Sequence, residues 1–237
     1  MNTSGIPRLA APLLLAAAIL VSWPRRESVA PVELLPGDVP GPSEQETNWA
    51  FARAMAAGGA GYDRGSTRAP VTVLEFADFG CRYCDLFATQ VYPRLAEEFV
   101  RTGNVRWKYV PFVLGMFPNG DGAARAAECA AEQGPAAFGR MHDLLYARRP
   151  EWSGSGRPDG LFRSYAAAIS LDPSRFAACW VSDAPAARIR ASNELADQMG
   201  VRSTPTFFID GARIEGAVPL DEFRAVLLEA LRRARHN

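Results

Sequence analysis

Two cysteines two residues apart, Cys81-Arg82-Tyr83-Cys84, stand where an apolar run ends and a helical pattern begins. Residues 71–76 read as a strand, and residues 85–100 read as a helix with Phe87, Val91, Leu95 and Phe99 on one face. The junction puts both cysteines at the first turn of that helix. The first N–H groups of a helix lack intrahelical partners, and the dipole is positive at that end. Both features favour the thiolate, which is the reactive form of cysteine. Cys81 is expected to be the exposed thiol. Cys84, one turn on, is placed to close a disulfide with it or to resolve a mixed one. The chemistry indicated is thiol–disulfide exchange.

Other uses of such a pair are a zinc site and a purely structural disulfide. Four-coordinate zinc needs further cysteine or histidine ligands. The chain has four cysteines and two histidines in all. Cys129 and Cys179 stand alone, His236 is next to the end, and His142 lies in a helical run. No metal site and no cofactor is expected. The strand-to-helix setting favours a redox pair over a structural one.

At 237 residues and 48% hydrophobic, the chain suits one domain with additions. Its 26 basic and 26 acidic residues balance, so nothing points to nucleic acid. Residues 9–23 carry no charge, follow Arg8 and precede Pro24-Arg25-Arg26. The run is short for a spanning helix and fits the apolar part of a signal peptide, with an uncleaved membrane anchor as the alternative. Ser28-Val29-Ala30 offers a cleavage pattern, while Pro31 and the two arginines argue against processing and export. The expected division is a signal peptide or anchor at 1–23, a proline-rich tether at 24–44 and a folded domain at 45–237.

Within the domain, residues 45–57 read as a first helix ended by Gly58-Gly59, and 66–70 as a turn. Glu75 lies inside the apolar strand six residues before Cys81. It is either a solvated outward side chain or a buried carboxylate with a raised pKa that relays a proton. Pro93 is expected to kink the helix that follows the cysteines. Residues 105–110 alternate Val105, Trp107 and Tyr109 against Arg106 and Lys108, a half-buried strand. Helical patterns then run over 122–133, 138–147 and 161–169, with 150–160 read as a loop. Asp172-Pro173 reads as N-cap and first residue of the next helix, and Asp183 is placed to cap another that Gly200 closes. Ser203-Thr204-Pro205-Thr206 opens an apolar strand to 209, a hairpin turns at Asp210-Gly211, and 220–233 is an amphipathic final helix.

Cys129 and Cys179 remain. In an oxidising compartment the simplest pairing is Cys81–Cys84 and Cys129–Cys179; the alternative is two buried free thiols. A bridge between Cys129 and Cys179 closes a loop of about fifty residues, worth roughly 4 kcal/mol in the chain-entropy model.

The order strand, C-x-x-C helix, strand, helical insertion, Thr-Pro strand, strand, helix resembles the thioredoxin fold of the DsbA family. The resemblance rests on Glu75-Phe76-x-Asp78-Phe79-x-Cys81-x-x-Cys84 and on Val201-x-x-Thr204-Pro205-Thr206, and covers roughly 70–235. It implies an α/β, thioredoxin-like fold with an inserted helical subdomain at about 118–199. It also implies Cys81 as nucleophile, Cys84 as resolving thiol, Glu75 as buried acid and a cis Thr204–Pro205 bond. The backbone of Thr204 would pair with a substrate peptide as an added strand. Arg82 and Tyr83 replace the family's usual Pro-His between the cysteines. Arg82 is expected to lower the Cys81 pKa, and Tyr83 brings no charge.

The resemblance implies a thiol–disulfide oxidoreductase and leaves the direction open; the expected function is an exported enzyme that forms disulfides in secreted or periplasmic proteins. Its partners would be reduced or unfolded exported polypeptides and a redox protein that recycles Cys81–Cys84, with the enzyme itself a monomer in the cell envelope. A reductase or isomerase using the same residues is the second reading. A non-catalytic polypeptide-binding module, with the cysteines as a staple, is the third.

Overall fold

A computed structural model describes residues 61–236. The expected leader, tether and first helix lie outside the described residues.

The core is a five-stranded sheet. Its strands are β1 (Tyr62–Arg64), β2 (Val71–Ala77), β3 (Val105–Pro111), β4 (Thr206–Ile209) and β5 (Ala212–Glu215), in the order β1-β3-β2-β4-β5. β2 and β3 are parallel, and the other pairings are antiparallel. The register sets Glu75 beside Tyr109 on one side and Phe207 on the other. Side chains alternate across a strand, so one face carries Val71, Val73, Glu75, Trp107, Tyr109, Phe207 and Ile209. The opposite face carries Leu74, Phe76, Val110 and Phe208, which pack with Leu195, Ala196 and Met199.

On the first face lies the helical rod that follows the cysteines. It consists of α1 (Arg82–Leu86), a π-helical turn (Phe87–Val91), α2 (Tyr92–Leu95) and a second π-helical turn (Ala96–Val100). The break expected at Pro93 takes this form. In a regular α-helix the proline ring would meet the carbonyl four residues back, and the wide turn just before it opens that space. Phe87, Leu95 and Phe99 then meet Trp107, Phe207 and the apolar side of α9 (Leu220–Ala234), through Phe223, Leu227 and Leu231.

Six helices stand between β3 and β4: α3 (Gly120–Ala131), α4 (Pro135–Ala147), α5 (Arg149–Trp152), α6 (Pro158–Ala168), α7 (Pro173–Val181) and α8 (Ala184–Gln198). Proline occupies the first or second position of the last five, where its missing N–H costs nothing. The Asp172 carboxylate accepts the Arg175 N–H at 2.8 Å, as an N-cap should. Asp183 sits at the N-cap of α8 without a side-chain cap bond. The expected loop at 150–160 instead holds α5 and the start of α6. α3 is lined by buried alanines, whose small side chains let the neighbouring helices close around it. There Cys129 of α3 and Cys179 of α7 are joined in a disulfide with Cα atoms 5.6 Å apart.

The short edge strand β1 was not legible from the apolar pattern, because Tyr62-Asp63-Arg64 is polar. Its stability comes from long side chains. The Tyr62 hydroxyl donates to buried Glu128, which also accepts from Arg188 at 2.6 Å. Asp63 accepts from Arg106 and Lys108 of β3. Arg64 binds Asp143 through two contacts of 2.8 and 3.0 Å. The hairpin between β4 and β5 turns at Asp210 and Gly211, whose φ values of 44° and 86° match the backbone that two-residue hairpins need.

Candidate active site

β2 delivers the chain to the cysteines, and Asp78 fixes the turn. Its side chain accepts the Gly80 N–H at 2.8 Å and the Leu114 N–H at 2.9 Å, and its carbonyl accepts the Cys81 N–H at 3.0 Å. Arg149, from the helical insertion, donates to the Gly80 carbonyl at 2.6 and 3.1 Å. Gly80 has no room for a side chain: a Cβ there would lie 2.4 Å from Phe117 Cβ. The turn is thus clamped from β2, from the segment after β3 and from α5.

Cys81 takes the N-cap position of α1, with an extended backbone at φ −72° and ψ 127°. A serine or aspartate at this position would offer its oxygen to the free N–H groups of the first turn. Cys81 offers sulfur. Its pKa is lowered to about 5, first by a hydrogen bond from the Cys84 thiol and then by the N–H groups of Cys84 and Tyr83, against the opposing effect of burial. Cys81 was expected to be exposed, yet it is 3% exposed. The Thr204 carbonyl covers it, 3.4 Å from the sulfur and within reach of its S–H in the thiol form. Cys84 is fully buried, and burial followed by the hydrogen bond to Cys81 pushes its thiol well up. Two chemically identical side chains are therefore driven in opposite directions within one helical turn.

The Thr204–Pro205 bond is cis, and the Thr204 carbonyl lies against Cys81. Arg82 is exposed, and the effects that lower the Cys81 pKa are led by hydrogen bonds rather than by its charge. Tyr83 is 62% exposed beside the site.

Glu75 and Cys84 share Tyr109 as a neighbour. Of the two readings open to Glu75, the structure adopts the buried one, because β2 is central and both its faces are covered. Burial pushes the carboxyl up to about 7, while the Trp107 hydrogen bond and the Arg64 charge restrain the rise. The Trp107 indole donates to Glu75 Oε2 at 2.6 Å. Tyr109 lies close to both Cys84 and Glu75, and its hydroxyl meets that of Tyr146 at 2.9 Å.

A thioredoxin family model matches residues 59–229. The chain belongs to the thioredoxin family. The disulfide bond formation protein D of Bacillus subtilis is 26% identical over 172 residues, covering 71% of this chain and 76% of that protein. The oxidised structure of Bacillus subtilis BdbD superposes with a TM-score of 0.66 at 24% identity, covering 72% of this chain and 92% of that one. Together these findings give the chain a DsbA-like thioredoxin fold with the helical insertion. The Na(+)/H(+) antiporter NhaA 3 of Salinispora tropica is 40% identical over 174 residues, 73% of this chain. This DsbA-like chain spans only 25% of that antiporter's length.

Three side chains at the DsbA-like site had no role in the sequence reading. Asp78 was quoted only as part of a motif, although an Asp two residues before a glycine is the pattern of a side chain that folds back on its own backbone. Arg149 reaches Gly80 across 69 residues, and nothing in the sequence marks it. Trp107 was placed correctly on a strand face, but its polar atom was not considered.

Proposed function

We propose that this protein forms disulfides in exported polypeptides through Cys81 and Cys84. In the oxidised enzyme, a substrate thiolate attacks Cys81 of the Cys81–Cys84 disulfide. Cys84 leaves as a thiolate and takes a proton from Glu75. A second substrate thiolate then attacks the substrate sulfur of the mixed disulfide, and Cys81 leaves as a thiolate. The substrate has gained a disulfide, and the enzyme holds two reduced cysteines. A partner disulfide restores the pair by the reverse sequence, in which Glu75 accepts the Cys84 proton.

The observation that carries this reading is the depressed Cys81 pKa beside a raised Cys84 pKa. A thiol of low pKa leaves readily, and a stabilised thiolate makes its disulfide oxidising. The Glu75 carboxyl, near 7, suits a proton carrier at neutral pH. The polypeptide would lie along Thr204, with exposed Tyr83, two residues after Cys81, offering an apolar contact. An extracytoplasmic setting agrees with the Cys129–Cys179 disulfide and with a signal peptide or anchor at 9–23. Among the described residues no helix is long and apolar enough to cross a membrane.

The test is the reduction potential of Cys81–Cys84 in glutathione buffers, measured in the Cys129→Ser/Cys179→Ser variant so that one pair titrates. A value near the −120 mV typical of DsbA, to within about 40 mV, is expected. A value near about −270 mV, the thioredoxin range, would mean a reductase and would send the search to an electron donor.

A further inference from the structure

We propose that Trp107 is the positioning residue of the Glu75 proton relay: its indole N–H holds Oε2 and leaves Oε1 to take and return the Cys84 proton. The proposal rests on the thiol-exchange reading above and adds to it a side chain that touches neither cysteine.

The geometry is specific. Trp107 is 1% exposed, and its Nε1 lies 2.6 Å from Oε2. The ring cannot swing away, because it is stacked on Phe87 and Phe223 and meets Tyr92 and Phe207 edge-on. Two strand positions separate it from Tyr109, which stands directly beside Glu75. The indole N–H is a donor only. It therefore stabilises the carboxylate and leaves the protonated carboxyl with the same anchor. The indole bond occupies Oε2 alone.

Each element packed around the carboxyl contributes its own group. Arg64 comes from β1, Trp107 and Tyr109 from β3, Tyr92 from the helical rod and Tyr146 from α4, while β4 presents only Phe207. Arg64 is a distant neighbour already engaged by Asp143, and its hydrogen bond to His142 Nδ1 at 2.6 Å fits a neutral imidazole. Burial lowers the His142 pKa to about 4. The tyrosines are neutral, because burial raises each of them. Trp107 is therefore the donor in direct contact that holds the carboxyl in place and opposes the rise that burial imposes on it.

The step it serves is proton transfer alone. Glu75 as carboxylate takes the Cys84 S–H proton, and the Cys84 thiolate attacks the Cys81 sulfur of a mixed disulfide. The partner's thiolate departs, and the carboxyl later loses its proton to water.

Two measurements test the proposal. In the oxidised wild-type protein, where neither active-site cysteine titrates, the Trp107 indole 15N–1H resonance is followed from pH 5 to 9. It is expected to move with a midpoint near the Glu75 value of about 7, and Glu75→Gln abolishes the movement. The Trp152 indole, which donates to the Leu145 carbonyl at 2.8 Å, is the pH-independent control. The second measurement is the rate at which Cys84 releases glutathione from a Cys81–glutathione mixed disulfide. With Trp107→Phe the rate at pH 6.5 falls about tenfold, the midpoint of the profile moves up, and the variants converge at high pH. Added to Glu75→Gln, the same substitution changes nothing further. A flat indole resonance, or an unmoved profile in Trp107→Phe, overturns the proposal. A wild-type protein that never releases glutathione while its indole still titrates overturns the exchange reading instead.

Discussion

Cys81 and Cys84 meet across one helical turn just past the end of the central strand, whereas Cys129 and Cys179 are separated by 50 residues and tie two helices of the insertion together. The first pair is free and the second is bonded. Both pairs are buried, so access to solvent does not distinguish them. Their neighbours do. Around Cys81 stand a thiol and the N–H groups of the first helical turn, all of which stabilise negative charge on sulfur. Cys129 shares its helix with buried alanines, and Cys179 shares its own with buried Phe176. Thiolate character here is a property of hydrogen-bond donors, and exposure is a poor guide to it.

The largest expected contrast is kinetic. Cys81→Ser is expected to lower disulfide transfer to a reduced protein substrate by at least about a thousandfold, because no other sulfur can take the nucleophile's place. Cys129→Ser/Cys179→Ser should leave the transfer rate within about twofold and instead lower the unfolding free energy by about 4 kcal/mol in denaturant titrations. Equal kinetic losses in both variants would erase the distinction between the pairs.

A pH titration sharpens it. Iodoacetamide labelling of Cys81 should follow a midpoint near pH 5. Cys84 should stay unlabelled through neutral pH, since burial holds its thiol protonated. A midpoint for Cys81 close to 9, the ordinary thiol value, would mean that the donors have no effect.

The next effect appears in stability. Below pH 4.5 Glu75 is protonated in both folded and unfolded chains, and it brings no penalty. Between 4.5 and 7 the unfolded chain releases this proton and the folded one retains it, so stability falls as pH rises. Above 7 the full penalty of roughly 3 kcal/mol is present. Glu75→Gln should therefore stabilise the protein at pH 8 and leave it unchanged at pH 4, by urea unfolding. The smallest effect is expected from Arg149→Met, which removes the grip on the Gly80 carbonyl and should cost about 1 kcal/mol with a slight rise in the Cys81 midpoint.

Much of this architecture was legible because it rests on local signals. The Asp172-Pro173 cap, the Asp210-Gly211 turn and the alternation of 105–110 each encode their own backbone. The C-x-x-C pair announced its chemistry in the same way. Other features depend on distant partners and could not be read. β1 is held by side chains reaching Glu128, Arg106 and Asp143, none of them near it in sequence. The covering of Cys81 comes from Thr204, 123 residues away. Arg82 looked like the tuning charge because it is adjacent, but it points into solvent, where water weakens its effect.

That 123-residue separation has a consequence for the life of the chain. The Thr204 contact with Cys81 exists only after the whole insertion has been traversed and β4 has docked on β2. The clamp on Gly80 likewise needs α5 in place. A partly folded copy therefore lacks both the Thr204 cover over Cys81 and the grip that holds its turn. The shielding of this sulfur belongs to the finished molecule, while the donors within its own helical turn are local to the sequence.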